Sequence, residues 1–155
     1  MKFMDIAVAE ALVSNLQATN KNDAVEELAN ALVEAGAIDA SDKDGVVQAV
    51  LTREAQATTG IGKGVALPHA KVKSIKRPLC AIGCSKDGID FAALDAKPVY
   101  SVILLLSNPD NPDEHLQAME TIFKHVQRDV FRKFLRQSDT REAMVDLIRE
   151  ADELG

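Results

Sequence analysis

Apolar residues recur at helical intervals in two stretches of the first third of the chain. The first stretch follows an N-cap candidate, Asn20, and ends near Gly36. Its apolar face consists of Val25, Leu28, Ala29 and Leu32. The second begins at Ser41 and predicts a helix to about Arg53. Its apolar positions are Val46, Val47, Val50 and Leu51. We also predict a short helix within residues 4–14.

The middle of the chain changes from helical to extended patterns. Residues 55–71 are rich in glycine and predict a loop that contains one short strand. Residues 78–84 and 98–107 predict strands, and the second is apolar on both faces at Val102–Leu106, as expected of a central strand covered by helices. The pair Asp87-Gly88 predicts the turn between these strands.

Two cysteines, Cys80 and Cys84, lie four residues apart in the first of these predicted strands. In an extended strand their separation would be about 13 Å, which excludes a disulfide between them. We therefore predict that both are buried, small hydrophobic side chains.

The last third of the chain returns to helical spacing. Residues 111–114 predict an N-cap, a proline at the first helical position and a capping-box acid at the third. The following helix presents Leu116, Met119, Phe123 and Val126 on one side. A last helix is predicted to begin near Ser138. Helices that flank apolar strands in mixed order predict an α/β fold, with a mixed β-sheet sandwiched between helices. At this length, residues 1–155 fit a single domain.

Charge and hydropathy exclude several classes of partner. The 18 Lys and Arg against 24 Asp and Glu give a net charge of -6, which disfavours nonspecific attraction to nucleic acid or to an anionic membrane. The longest apolar run, Val102–Leu106, is far shorter than the roughly 20 residues of a membrane span. Asp5 and Glu10 interrupt the apolar stretch that a signal peptide requires. We expect a cytoplasmic protein with no nucleic-acid partner and no insertion into the membrane.

The glycine-rich loop leads to a histidine that is suited to phosphoryl transfer. Its glycines could turn N–H groups toward a phosphate, and we predict phosphate contacts from Thr59, Gly60 and Gly62. The loop lacks the Gly-Lys-Ser/Thr ending of a P-loop and the dinucleotide fingerprint, so ATP and NAD are not expected. His69 offers a neutral imidazole near pH 7, and its phosphoramidate would be labile enough to be passed on. A turn histidine bonded to the backbone is the alternative.

Further candidates flank this loop. His115 lies in a predicted first helical turn, where free N–H groups and the helix dipole favour an anion, although a solvated or capping role stays open. Arg53 could grip phosphate oxygens or could be only a helix-end charge. Thr58 could donate to a phosphate or shape the turn. We expect His125 to be partly exposed. The histidine spacing matches no metal motif, so we expect neither a metal ion nor another cofactor.

Three segments together carry a family resemblance. They are Arg53-Glu54, residues 59–71 and Glu114-His115-Leu116. This ordered set resembles the enzyme IIA domain of the bacterial phosphotransferase system, fructose/mannitol type, which includes the nitrogen-regulatory branch. The resemblance covers nearly the whole chain, including residues 87–91. One departure is Leu67, where an isoleucine-like residue is more usual.

The resemblance implies a mechanism as well as the α/β fold. It implies that His69 is phosphorylated by the histidine-phosphorylated general carrier protein and passes the group to a cysteine or histidine of a IIB domain. It implies that His115 hydrogen-bonds the phosphoryl oxygens or orients the first ring. It implies that Arg53 neutralises the incoming phosphate.

Two functions of different kinds follow from this resemblance. The first is a relay that passes phosphate to a IIB component for sugar uptake. The second is a regulatory protein whose phosphorylation state controls its binding to regulatory or transport proteins. We expect a chain without fused transport segments to favour the second slightly, and the sequence leaves both open.

Overall fold

A mixed sheet of six strands runs through the computed structural model, which describes residues 1–155. The strands are β1 (Ala7–Val13), β2 (Gly60–Gly62), β3 (Val65–Ala66), β4 (His69–Lys71), β5 (Leu79–Ile89) and β6 (Val99–Ser107). Their order is β1-β5-β6-β3-β2, and β4 also pairs with β6. β5 and β6 are antiparallel, whereas β3 and β4 run parallel to β6. Because β6 has neighbours on both sides, its Val102–Leu106 core is fully buried, as predicted.

Helices cover both faces of this sheet. They are α1 (Phe3–Ile6), α2 (Lys21–Glu34), α3 (Lys43–Gln56), α4 (Pro112–Val126), α5 (Asp129–Gln137) and α6 (Arg141–Leu154), with a 3-10 turn at Ala40–Asp42. One apolar cluster joins α2 and α3 to the sheet, and a second joins α1, α4, α5 and α6 to its other face. The predicted α/β sandwich in a single domain is confirmed. None of the helices combines the length and the apolar character needed to cross a membrane.

Local sequence signals account for α2. The Asn20 side-chain oxygen accepts a hydrogen bond from the Asp23 N–H at 2.9 Å, which caps the first turn. The predicted apolar face is buried, and each fully buried leucine, such as Leu28, contributes on the order of 1.5–3 kcal/mol. The helix ends just before Gly36, whose φ of +75° is favourable for glycine. The prediction for this helix is confirmed.

Cys80 and Cys84 are buried and free on β5, as predicted. Burial raises the pKa of both thiols, to about 11 for Cys84. Neither sulfur is therefore ionised near neutral pH.

The short helix predicted within residues 4–14 is confirmed only for residues 4–6 and is wrong for the rest. Helix α1 ends at Ile6, and the chain continues as a strand that pairs in parallel with β5. The long-range pairing decides the conformation here, because the apolar side chain of Leu12 is buried only when the backbone joins the sheet.

The turn predicted at Asp87-Gly88 is also wrong. β5 continues to Ile89, and residues 85–88 form a bulge opposite a single residue of β6. Gly88 has a φ of +88° there and its N–H donates to the Ser85 hydroxyl at 3.1 Å. The chain reverses later, within residues 90–98.

The C-terminal third differs from its prediction in three ways. Helix α5 was not predicted, because Phe131 and Leu135 are its only buried residues. The last helix begins at Arg141 rather than near Ser138, and the Thr140 hydroxyl caps it by accepting from the Ala143 N–H at 3.1 Å. The apolar face of α4 is rotated away from the predicted stripe. It buries Ala118, Ile122 and Val126 and leaves Leu116 56% exposed.

Candidate functional site

A break in the sheet edge positions His69. β3 and β4 pair with the same edge of β6 in parallel, and Leu67 and Pro68 lie between them. The Leu67 N–H donates to the Thr59 carbonyl at 3.0 Å, while the Pro68 carbonyl accepts from the Leu105 N–H at 3.0 Å. The Leu67 carbonyl then accepts from His69 Nδ1 at 2.8 Å. The loop predicted with one strand therefore contains three short strands, β2, β3 and β4.

The hydrogen bond to the Leu67 carbonyl fixes the tautomer of the His69 ring. A carbonyl oxygen can only accept, so Nδ1 carries the proton and Nε2 keeps its lone pair. Partial burial lowers the pKa of His69, and the hydrogen bond to the Leu67 carbonyl opposes this shift. The positive charges of Arg53 and Lys71 also lower the pKa, and the negative charge of Glu54 raises it. The bond to the backbone that the alternative predicted is observed, and it is compatible with a nucleophilic Nε2, which stays a prediction.

His115 lies in the first turn of α4. Its N–H donates to the Asn111 carbonyl at 3.3 Å, and Pro112 occupies the predicted first position. The Asn111 side chain makes no capping bond, so the predicted capping box does not form. Asn108 organises this end of the helix instead. Its side-chain oxygen accepts from the Asp110 N–H at 2.7 Å, and its amide donates to the Ile75 carbonyl at 2.7 Å, which links α4 to the segment after β4.

The two histidine rings lie side by side at the surface. Their centroids are 5.7 Å apart and their planes are inclined by 45°. His115 Nδ1 is 2.5 Å from the hydroxyl oxygen of Ser107, the fully buried last residue of β6. Burial lowers the pKa of His115 to about 4, and positive charge on His69 and Lys71 adds to this effect. Both rings are therefore neutral at pH 7.

Arg53 is at the end of α3, near His69. Its Nη1 donates to the Ala57 carbonyl at 3.0 Å, so the guanidinium caps the last turn of its own helix. Its charge also contributes to the lowered pKa of His69. The helix-end contact is observed, and the predicted contact with phosphate stays a prediction.

The buried Glu54 carboxylate holds the loop that leads to His69. It is 4% exposed and accepts from the Thr59 N–H at 2.6 Å and from the Thr59 hydroxyl at 2.5 Å. The Gly60 N–H donates to the Thr58 hydroxyl oxygen, and that hydroxyl donates to the Phe91 carbonyl. The side chain of Thr58 thus shapes the turn. Phosphate contacts from Thr59 and Gly60 stay a prediction, since both N–H groups already have partners.

Comparison with known proteins gives this geometry a context. Residues 6–151 match the family model of the phosphoenolpyruvate-dependent sugar phosphotransferase system, EIIA 2. The chain belongs to this family.

Named relatives come from two branches of the EIIA family. The chain is 33% identical over 133 residues to the fructose-specific EIIA component of Haloferax volcanii, covering 86% of this chain and 85% of that protein. It is 32% identical over 152 residues to the fructose-specific EIIABC component of Bacillus subtilis, covering 98% of this chain but only 24% of that longer protein. It is 29% identical to the nitrogen regulatory protein of Bradyrhizobium diazoefficiens, covering 96% and 95% of the two chains.

Solved structures share this EIIA fold. The nitrogen regulatory protein IIA-Ntr from Neisseria meningitidis superposes with a TM-score of 0.81 at 23% identity, over 93% of this chain and 97% of that one. Enzyme IIA for mannitol of Escherichia coli, in its complex with the phosphorylated mannitol IIB enzyme, gives 0.75 at 19% identity, over 92% and 96%.

The loop glycines build a hairpin in this EIIA protein. β2 and β3 are joined by Lys63-Gly64, whose φ values of +58° and +79° are those of a type I′ turn. A Cβ on Gly60 would lie 2.9 Å from the Ala93 Cα, so no larger residue fits. Gly62 and His69 are four residues apart in the register of β6, or about 13 Å. The predicted phosphate contact of Gly62 stays a prediction.

The expectation that His125 is partly exposed is wrong. Its side chain is buried between Phe3 and Phe131, with ring centroids 5.6 Å and 5.7 Å away. Its Nε2 is 3.5 Å from the Asp152 carboxylate, which also accepts from the Phe3 and Met4 N–H groups. The elements that bury it, α1 and α5, were not predicted from the sequence pattern.

Sequence reasoning missed three residues that surround the two histidines. Lys71 shares a face of β4 with His69, because alternate residues of a strand point the same way, and this signal was present in the sequence. Glu54 was named only as part of the Arg53-Glu54 pair. No local pattern indicates that the Ser107 hydroxyl meets His115, since that contact requires the strand and the helix to be assembled.

Proposed function

We propose that this EIIA protein accepts a phosphoryl group on His69 Nε2 from a histidine-phosphorylated carrier protein and passes it to a IIB component. The hydrogen bond from His69 Nδ1 to the Leu67 carbonyl carries the proposal, because it leaves Nε2 as a neutral nucleophile at the surface. Family membership and the EIIABC relative from Bacillus subtilis support it.

The phosphoryl group is transferred in two steps. The lone pair on His69 Nε2 attacks the phosphorus, the bond between phosphorus and the donor's ring nitrogen breaks, and its electrons return to that ring. The donor ring leaves as neutral imidazole because its other nitrogen carries a proton, and the His69 ring, which keeps its Nδ1 proton, takes over the positive charge. In the second step a thiolate or ring nitrogen of the acceptor attacks, and the electrons of the phosphorus–nitrogen bond return to His69. No water enters either step, so the phosphoryl group is conserved.

His115 assists this transfer without forming a bond to phosphorus. In this proposal the Ser107 hydroxyl donates to His115 Nδ1, so that the ring proton lies on Nε2 and can be donated to a phosphoryl oxygen. Arg53 and Lys71 add positive charge beside the developing charge on the non-bridging oxygens. Thr59, Gly60 and Gly62 shape the loop through Glu54 and the hairpin, and their predicted contacts with the phosphoryl group are part of this proposal.

The surroundings of His69 suit a protein partner. Cavities of about 560 and 690 Å³ lie elsewhere on the molecule, and neither is lined by His69 or His115. The apolar side chain of Leu116, next to His115, is exposed. A surface with an exposed apolar side chain beside the reactive ring can be covered by a partner protein, which then excludes water from the transfer. Such partners would be met in the cytoplasm.

A second candidate function uses the same phosphorylation. The Bradyrhizobium relative is a nitrogen regulatory protein that matches along almost its whole length. In this case the phosphate on His69 adds about -1.5 to -2 charges to the surface at pH 7 and thereby changes which protein binds there. The two functions share the donor and differ in the acceptor.

The test uses the phosphorylated carrier protein as donor and intact-mass spectrometry as readout. Wild type should gain one acid-labile, alkali-stable phosphate, and His69→Ala none. The matched control His115→Ala should still be phosphorylated, but more slowly. Equal incorporation in His69→Ala would sink the assignment. Adding a purified IIB domain then separates the two functions, since the relay requires loss of phosphate from His69 and its appearance on IIB.

A further inference from the structure

A concave surface lies at the end of β6 that is remote from the two histidines. We call it the basic groove, a cavity of about 690 Å³ between the hairpin turn, the segment before β6 and helix α5. Its charged and aromatic lining includes Lys63, Lys97, Tyr100, Arg132, Lys133 and Arg136. Ser101 in the groove and Leu105 beside His69 are about 13 Å apart along β6. The basic groove is therefore separate from the phosphoryl-transfer site.

Most of the cations in the basic groove have no carboxylate partner. Lys63, Lys97, Lys133 and Arg136 form no ion pair, although the whole chain carries a net charge of -6. Arg132 is paired with Asp129. Unpaired like charges around a concavity repel each other and focus a positive potential into it. An anion in the groove would relieve this repulsion.

The one other carboxylate in the basic groove is already bound by the backbone. Asp95 accepts from the Lys63 N–H at 3.0 Å and from the Lys97 N–H at 3.1 Å. These two bonds lower the pKa of Asp95 and keep it ionised. Asp95 therefore joins the hairpin turn to the segment before β6 and brings the two lysines to the same rim.

The aromatic ring of Tyr100 orders the side chain of Arg136, which lines the basic groove from α5. The guanidinium carbon of Arg136 lies 3.5 Å from the centroid of the Tyr100 ring. This cation–π contact stabilises one position of a long side chain while its N–H groups stay available at the edge of the guanidinium plane. Because the Arg136 side chain is already ordered in the free protein, less conformational entropy is lost when a ligand binds.

We propose that the basic groove binds a small molecule that carries two or more linked phosphate groups. Its volume is in the range of about 300–1,000 Å³ typical of small-molecule sites, and its lining is almost entirely polar or charged. The unpaired cations come from three separate elements around a cavity of about 690 Å³, so a chain of phosphates can reach several of them at once, whereas a single phosphate would leave part of the groove unfilled. The site does not depend on the proposed function of His69.

Isothermal titration calorimetry with inorganic tripolyphosphate tests the proposal. Wild type should bind one tripolyphosphate per chain, and orthophosphate at least tenfold more weakly. The double variant Lys97→Gln/Lys133→Gln should lose at least tenfold in affinity. The matched control Lys76→Gln/Lys124→Gln removes two exposed lysines outside the basic groove and should stay within twofold of wild type. All four lysines are exposed, so both variants should fold, which circular dichroism can check.

Backbone amide shifts in NMR should locate the bound tripolyphosphate at the hairpin turn and α5, and His69→Ala should bind it as wild type does. No detectable binding, or the same loss in both double variants, would overturn the proposal. So would amide shifts centred on His69. Binding of poly-glutamate without binding of tripolyphosphate would identify a docking surface for an acidic protein segment instead.

Discussion

The hydroxyl of Ser107 and the ring of His115 form a hydrogen bond, with 2.5 Å between Oγ and Nδ1. Ser107 ends the central strand and His115 begins the helix that follows it, so this bond ties the orientation of the ring to the most deeply buried strand of the sheet. A histidine on the first turn of a helix would otherwise be free to rotate about its side-chain bonds.

Replacing Ser107 by alanine should disturb the His115 ring more than the fold. Loss of a hydrogen bond of about 1.4 kcal/mol corresponds to about a tenfold slower transfer, if the bond acts in the transition state. Rapid-quench kinetics would give the rate and nitrogen NMR the tautomer of His115. Ser101→Ala, a buried serine on the same strand, is the matched control and should transfer normally. Unchanged tautomer and rate in Ser107→Ala would remove Ser107 from the site.

Substitutions of Arg53 can separate its electrostatic effect on phosphoryl transfer from its structural effect on the end of α3. If it stabilises the transferring phosphoryl group, Arg53→Gln should slow transfer into His69 by on the order of a hundredfold, and Arg53→Lys by less, because lysine keeps the charge but not the planar fork. If it only caps α3 through Ala57, the loss should be about 0.3–1 kcal/mol of stability. Rapid quench and urea unfolding measure the two quantities separately. Transfer within twofold of wild type in Arg53→Gln would leave only the capping role.

The carboxylate of Glu54 should be required for the loop that carries His69. Glu54→Gln can still accept from the Thr59 N–H through its oxygen, but its amide must donate to the Thr59 hydroxyl, so one bond reverses direction and both lose the strength that the carboxylate charge gives them. We expect a loss of about 1–3 kcal/mol in the free energy of unfolding, since the group is buried. Urea denaturation measures it, with the exposed Glu150→Gln on α6 as control. Equal stability of the two variants would contradict the structural role of Glu54.

Stability should fall as the pH falls below neutrality. His115 has a pKa of about 4 in the folded protein against an ordinary value of 6.5, so the unfolded chain binds the proton first. The neutral ring of His115 therefore makes its full contribution to the free energy of unfolding above pH 6.5. This contribution is lost progressively as the pH falls toward 4. Urea unfolding at pH 7 and pH 5 should show a smaller pH effect in His115→Gln than in wild type. A His115 that titrates near 6.5 by NMR would rule this out.

The parts of the fold that the sequence predicted are those with local causes. Helix α2 was predicted because Asn20 caps it and its apolar residues repeat at helical spacing. Strand β1 was mistaken for a helix because only its pairing with β5 determines its conformation. Helix α5 was missed because it buries only two side chains.

The residues of the candidate site also divide into those that a sequence pattern or resemblance could indicate and those whose roles depend on the assembled sheet. The rings of His69 and His115 were connected by the family resemblance, and spacing alone gave no reason for their 5.7 Å separation. Lys71 could have been found from the alternation along β4. Neither the carbonyl of Leu67 nor the hydroxyl of Ser107 carries a sequence signal, because both act through positions set by the assembled sheet.

The burial of Cys80 and Cys84 would favour the fidelity of the proposed relay. Phosphoryl groups move readily to thiolates, and a protein that holds one on a histidine would lose it to any ionised cysteine of its own within reach. Both thiols are enclosed in β5 and stay protonated, with a pKa of about 11 for Cys84. In the proposed relay, a phosphoryl group on His69 would thereby be protected from self-transfer. Thiol-directed alkylating reagents, which need a thiolate, should leave this protein unmodified and can be used to block a partner's cysteine selectively.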